Sequence, residues 1–153
     1  EAILGDSKAG LDDLNSVVMI QCVGPAERYC SRLCCTTALK NALKLKKKNP
    51  DKEIYILFRD MRSYGFIEDF YHEAADRDVK FICWEPEDPP TVETATNEEG
   101  NPCVRVTVPD QVLGQRLELD VDLLVLSAAM IPSAGSREAA KRVTLERQRS
   151  SAT

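Results

Sequence analysis

The sequence has 153 residues, 25 acids against 20 bases for a net charge of −5, and 43% hydrophobic and 29% charged residues. That is a globular profile, and a chain this long can bury roughly 70% of its unfolded surface without a disulfide or metal to make its core. The longest near-continuous apolar stretch, Leu123 to Ile131, is far short of the ~20 residues of a membrane span, no signal peptide is visible, and an acidic balance without interleaved aromatics argues against nucleic-acid binding.

The chain opens on Glu1 and ends in the polar string Arg147 to Thr153, the aspect of a piece taken from something longer. Ser16 to Gln21 is a short β-branched apolar run, suited to a strand buried on both faces, and a turn with Gly24 and Pro25 follows. Cys30 to Lys48 reads as a helix, with Cys34, Ala38, Ala42 and Leu45 at helical spacing and Asn49-Pro50 as its stop. Ile54 to Phe58 is a second buried strand. Gly65 to Arg77 is a second helix, with Phe66, Ile67, Phe70, Tyr71 and Ala74 on its inner side, leading to a third strand at Val79 to Trp84. Strand, helix, strand, helix, strand predicts a parallel α/β sheet.

After Pro86 the composition turns to prolines, acids and Asn-Glu-Glu-Gly-Asn, which reads as turns between short strands. Cys103 to Val108 and Gln115 to Leu119 alternate, and a turn at Gly114 joins them as a hairpin. Asp122 to Leu126 returns to the parallel sheet, and Pro132 closes it. Ser133 to Thr153 has weak helical periodicity. The division is a flank at 1–15, a domain at 16–132 and a flank at 133–153. Charge is uneven: seven bases against Asp51 lie between Cys30 and Lys52, and six acids with no base between Glu85 and Gly100. The lysine run reads as a solvated helix end whose charges suit the C-terminal dipole.

Four of six cysteines, Cys22, Cys30, Cys34 and Cys35, fall within fourteen residues. Cys22 lies just past the first strand, and Cys30 is placed at the start of the helix, where free N–H groups favour negative charge. Cys30 and Cys34 are four apart, on one helix face, with Cys35 about 100° round. A flexible loop can bring Cys22 over the same helix end, and Arg28 and Arg32 can offset the charge of four thiolates. An iron-sulfur cluster uses four thiolates at irregular spacings. Structural zinc prefers two separated knuckles, and redox-thiol chemistry needs only two cysteines. Cys83 and Cys103, in predicted strands, read as packing. The lone His72 reads as a surface or capping residue, and Arg59 as a strand-end arginine that is either solvated or an inter-domain contact.

The words Ile20-Gln21-Cys22-Val23-Gly24 and Tyr29-Cys30-Ser31-Arg32-Leu33-Cys34-Cys35 occur here with Ala38 to Leu45, Ile54 to Asp60 and Tyr64-Gly65-Phe66 in order. Together they resemble the A subunit of heterodisulfide reductase, a family of iron-sulfur flavoproteins, from about Ser16 to Pro132. The resemblance implies the nucleotide-binding half of a thioredoxin-reductase-like flavoprotein: an α/β, Rossmann-like three-layer domain with a parallel sheet and a small antiparallel β insertion. It implies that Cys22, Cys30, Cys34 and Cys35 hold a [4Fe-4S] cluster where an ordinary reductase has its phosphate turn. The residues agree, because only Gly24 occupies a turn in which a dinucleotide site needs several glycines. The expected role is a cytoplasmic electron-transfer domain that carries electrons between the FAD of a longer parent and the other subunits of a heterodisulfide-reductase-like complex. The FAD fingerprint itself is absent here. The alternative is a degenerate nucleotide-binding or interaction module whose cysteines hold zinc or are vestigial.

Overall fold

The computed structural model describes residues 10, 14–24, 30, 33–128, 133, 135–136 and 138–143. Strand β1 (Ser16–Val23) leads to helix α1 (Leu33–Lys48), strand β2 (Glu53–Phe58), a short 3-10 turn (Gly65–Ile67), helix α2 (Glu68–Asp76) and strand β3 (Val79–Cys83). Strands β4 (Thr91–Thr96), β5 (Pro102–Asp110), β6 (Gln115–Val121) and β7 (Leu123–Ala128) follow. The order β3-β2-β1-β7 makes a four-stranded sheet in which every pair is parallel, and β4-β5-β6 makes a separate antiparallel sheet. This is the expected α/β, Rossmann-like architecture.

The parallel strands are apolar on both faces because both faces are covered. Val17, Met19, Ile54, Ile56 and Val79 pack against Ala38, Leu39, Ala42 and Leu45 of α1 and Ala74 of α2. On the other face Val18, Ile20, Leu57, Ile82 and Trp84 meet Val106, Val108 and Val121 of the antiparallel sheet. Each large side chain so buried stabilises the fold by roughly 1.5–3 kcal/mol relative to exposure. Three layers result, with β1 and β2 at the centre. The β5–β6 turn is closed by Asp110, whose Oδ1 accepts the N–H groups of Val112 and Leu113 at 2.8 and 2.9 Å. Gly114, at φ +65°, supplies the left-handed residue and donates its N–H to the Asp110 carbonyl.

Several sequence expectations are corrected. Cys30 lies outside the helix and is exposed: α1 begins at Leu33, and its buried stripe only at Cys35. Cys30 and Cys34 therefore do not share a helix face. The second helix is split, and Phe66 in the 3-10 turn is 94% exposed, with Phe70 also exposed. Only Ile67, Tyr71 and Ala74 reach the core, because the tighter turn rotates Phe66 off the inner stripe. The lysine run is not uniformly solvated. Lys46 is buried and donates to the Pro50 carbonyl at 3.0 Å, and buried Lys52 donates to the Leu14 carbonyl. Leu126, expected in the core, is exposed.

Pro25, Arg28, Arg32 and Pro132 lie outside the described residues, as do most of both flanks; residues 138–143 are helical. His72 is exposed, four residues from Glu68 and 4.0 Å from its carboxylate, the surface position expected. Cys103 is buried in β5, as packing requires.

Candidate metal centre

In open parallel sheets ligands bind beyond the carboxyl ends of the strands. At that edge this chain gathers sulfur. β1 carries Cys22 at its next-to-last position, β3 ends with Cys83, and α1 returns over the edge carrying Cys34 and Cys35 in its first turn. Only Cys35 of these is fully buried; Cys22, Cys34 and Cys83 are half-buried and Cys30 is exposed.

The backbone at Cys22 is unusual. Its φ of +62° lies in the left-handed region, and the β1–β7 register slips between Ile20 and Val23. A non-glycine residue held there stores of order 1–3 kcal/mol, strain that concentrates at ligand sites. The break turns Cys22 out of the ladder at the point where a Rossmann fold begins its phosphate turn. Gly24, at φ +91°, follows.

Cys35 lies against the end of β2. Its Sγ is 3.9 Å from the Asp60 carbonyl, which it meets as a weak donor, and the Arg62 backbone N–H points at the sulfur. Burial pushes the thiol up to about 11; the Arg62 N–H pulls it down, while the charges of Cys34 and Cys22 push it further up. Cys22 and Cys34 thus both lie within electrostatic reach of Cys35. Burial likewise raises Cys83, whose Sγ meets the Arg59 carbonyl at 3.6 Å, with Glu85, Asp60 and then Cys22 adding to the shift. Cys83 is therefore part of this edge rather than simple core packing, a correction to the sequence reading: it stands at the last position of β3, where the sheet gives way to solvent.

Cations frame the edge. The Arg59 guanidinium stacks 5.5 Å from the Trp84 ring centroid and is half-buried, not solvated. Arg62 pairs with the Asp60 carboxylate at 2.7 Å; that hydrogen bond, its charge and then the nearby Cys30 raise the arginine further.

A residue that the sequence reading passed over sits directly before Cys22. Gln21 is fully buried, and neither its amide nitrogen nor its amide oxygen has a hydrogen-bond partner among the described residues. An orphaned amide costs roughly 1–3 kcal/mol. A polar residue closing an otherwise apolar, doubly buried run was the signal that could have found it.

Among the described residues, no three of the His, Cys, Asp and Glu side chains stand together as a metal site. Cys22, Cys34 and Cys35 are brought to one edge; Cys30 reaches it only through its influence on Arg62. The chemistry of the donor set still fits a thiolate-held group: soft sulfurs at a helix start, flanking cations and an unpartnered buried amide. It does not fit a pyrophosphate, for which the turn lacks glycines. A buried, protonated Cys35 is a poor nucleophile, and a metal taken up there must displace its proton.

No family model matches the chain. It is 40% identical over 152 residues to the A subunit of the ferredoxin:CoB-CoM heterodisulfide reductase of Methanosarcina acetivorans, a match covering 95% of this chain and 18% of that one. It is 41% identical over 141 residues to the iron-sulfur A subunit of the CoB–CoM heterodisulfide reductase of Methanocaldococcus jannaschii, covering 85% of this chain and 20% of the relative. The A subunit of the H2/formate:CoB-CoM heterodisulfide,ferredoxin reductase of Methanococcus maripaludis is 39% identical over the same length. Among solved structures, T. acidophilum thioredoxin reductase aligns with a TM-score of 0.44 at 12% identity, over 83% of this chain and 36% of that one. The chain spans about a fifth of the length of these curated relatives. It is a homologue of the heterodisulfide reductase A subunit, matched to one segment of that protein.

Proposed function

We infer that this chain is the electron-transfer segment of a heterodisulfide-reductase-A-like flavin and iron-sulfur oxidoreductase, and that Cys22, Cys30, Cys34 and Cys35 hold a [4Fe-4S] cluster. The observation that carries this reading is the placement of Cys22, Cys34 and Cys35 at the carboxyl edge of the parallel sheet, with Cys22 strained out of the ladder. The Methanocaldococcus relative, named as an iron-sulfur subunit, supports it. Cys30 joins from the loop between β1 and α1. The cluster, when bound, supplies one-electron redox chemistry. The chain's own residues hold it, shield it and set its potential: α1 offers the positive end of its dipole, and Arg62 and Arg59, the latter stacked on Trp84, offset the thiolate charge.

FAD belongs to the longer parent in this reading, and the electron partners are other subunits of the same complex. Leu33, Tyr64 and Phe66, all more than half exposed beside this edge, suit contact with those missing parts. Among the described residues no helix is long and apolar enough to cross a membrane.

Anaerobic reconstitution with iron and sulfide tests the reading. The expected result is equal iron and sulfide per chain, a broad absorption near the thiolate-to-iron region, and a reduced state visible by electron paramagnetic resonance. Uptake of zinc with neither iron nor sulfide would favour the interaction-module alternative instead.

A further inference from the structure

We propose that Gln21 is the buried hydrogen-bond donor of the sulfur site, its carboxamide N–H directed at the sulfur of Cys35 on the α1 side of the sheet and stabilising its negative charge. Side chains alternate along a strand, so Gln21 shares the face of Val17 and Met19. That face packs on α1 through Ala38, Leu39 and Ala42. Cys35 precedes this stripe by one helical turn, so it and Gln21 both close the carboxyl end of the β1–α1 interface. Neither has water there: Gln21 is 0% and Cys35 1% exposed.

The apolar neighbours explain why the amide is orphaned. Val17, Met19 and the alanines and leucine of α1 offer no side-chain acceptor, and the backbone from Val17 to Ile20 is engaged in the ladders on either side. Among the described residues, this end of the interface holds the Cys35 sulfur, with the Asp60 carbonyl already facing it. Thiolate and sulfide sulfurs accept N–H hydrogen bonds, and such bonds are among the levers that set cluster potentials. A leucine of similar volume would pack on this face without an orphaned amide, so the carboxamide is unexplained by the fold alone. This inference rests on the cluster reading above, but it can be judged without it.

The test uses the 153-residue chain with Gln21→Leu and Gln21→Met. Both variants should melt higher than the parent in the metal-free form, because the orphaned amide is gone. After anaerobic reconstitution the reduced cluster carries more negative charge than the oxidised one, so loss of the donor should lower its midpoint potential. A fivefold to tenfold fall in the one-electron reduction equilibrium is expected, tenfold being about 59 mV. Cadmium(II), a thiophilic ion, provides the second arm: its affinity should fall severalfold in both variants.

An unchanged potential with unchanged cadmium affinity overturns the proposal, whatever happens to the melting temperature. If the parent chain takes up no iron and sulfide, the cluster reading fails, and the cadmium arm alone decides: weakened binding in both variants upholds Gln21 as the donor, and equal binding overturns it.

Discussion

The two edges of the parallel sheet are built on opposite terms. At the amino edge polar groups find partners. The Asp122 carboxylate accepts the N–H groups of Asn15 and Ser16 at 2.7 and 2.9 Å and the Ser16 hydroxyl at 3.1 Å, while its own N–H donates to that hydroxyl at 3.0 Å. Glu53 donates its N–H to the Asn15 carbonyl at 2.8 Å, and buried Lys52 reaches the Leu14 carbonyl. The start of β1 is thereby tied to β2 and to the β6–β7 junction. At the carboxyl edge the pattern reverses: Cys22 is at positive φ, the Gln21 amide and the Trp84 indole N–H lack partners among the described residues, and Cys35 is held protonated by burial. One edge is arranged for stability, and the other carries the costs expected where a ligand belongs.

The largest expected effect separates the edges at once. Cys35→Ser should cut iron incorporation during anaerobic reconstitution by about tenfold or more, because Cys35 is the best-buried of the four sulfurs. Far-ultraviolet circular dichroism should stay the same. The sheet core at Val17 to Ile20, Ile54 to Phe58 and Val79 to Ile82 is built mainly from aliphatic and aromatic side chains, with Cys22 packed only at its margin, so chelating iron from the parent chain should also leave a folded protein. Cooperative unfolding on chelation would show that the cluster is structural and would erase the contrast.

The reverse lesion is smaller. Asp122→Ala should destabilise the chain by about 1–2 kcal/mol, the loss of several hydrogen bonds tempered by solvent exposure, without changing iron uptake. Denaturant titration alongside iron analysis checks it, and impaired uptake would mean that the edges communicate. The same pair of proteins gives a pH test. Burial on its own pushes the Asp122 carboxyl up, but the hydrogen bonds from Asn15 and Ser16 and the charge of Lys52 outweigh it, so its pKa is lowered. A carboxyl lowered in the fold contributes its full stability above its unfolded pKa, about 3.9, and loses it as pH falls through the folded value. The stability gap between parent and Asp122→Ala should therefore be constant from about pH 7 to about pH 5 and narrow below about pH 4. A gap that persists at about pH 2 would assign the effect to packing.

Much of the fold was legible because its elements are written in local pattern. The runs at β1, β2 and β3 are apolar without alternation, as doubly covered strands must be, and Asn49-Pro50 ends α1 where the sequence says. β4 was not legible: Thr-Val-Glu-Thr-Ala-Thr is an exposed edge strand that depends on pairing with β5 rather than on a buried face. The burial of Lys46 and Lys52 was illegible too: Lys46 is satisfied by the Pro50 carbonyl in the turn that follows α1, and Lys52 by the Leu14 carbonyl that the fold brings back from the start of the chain. At the site, the cysteine density pointed to the edge where Cys22 and Cys34 come near Cys35, and the single glycine of the loop argued against a phosphate turn. What spacing could not give was the third dimension. Helical geometry alone put Cys30 on α1, yet the helix starts later. Cys83 is forty-eight residues beyond Cys35 in sequence and reaches the same edge only through the β2–β3 pairing.

The smallest effect expected is none. If the carboxyl edge is a sulfur site and not a worn nucleotide site, NADH and NADPH should bind negligibly at micromolar concentrations, with or without the cluster. A pyrophosphate needs a helix start approached by bare backbone, which takes glycines at the turn and again where the helix meets the strand. Here Gly24 stands alone, Cys22 occupies a left-handed position two residues before it, and the first turn of α1 presents Leu33, Cys34 and Cys35 where small residues would be required. The sulfurs also repel a diphosphate once they are ionised. Fluorescence titration of NADH against the chain measures this directly. Micromolar affinity would show that the strained turn still accepts a dinucleotide, and the contrast between the edges would then concern an ordinary cofactor site and not a metal centre.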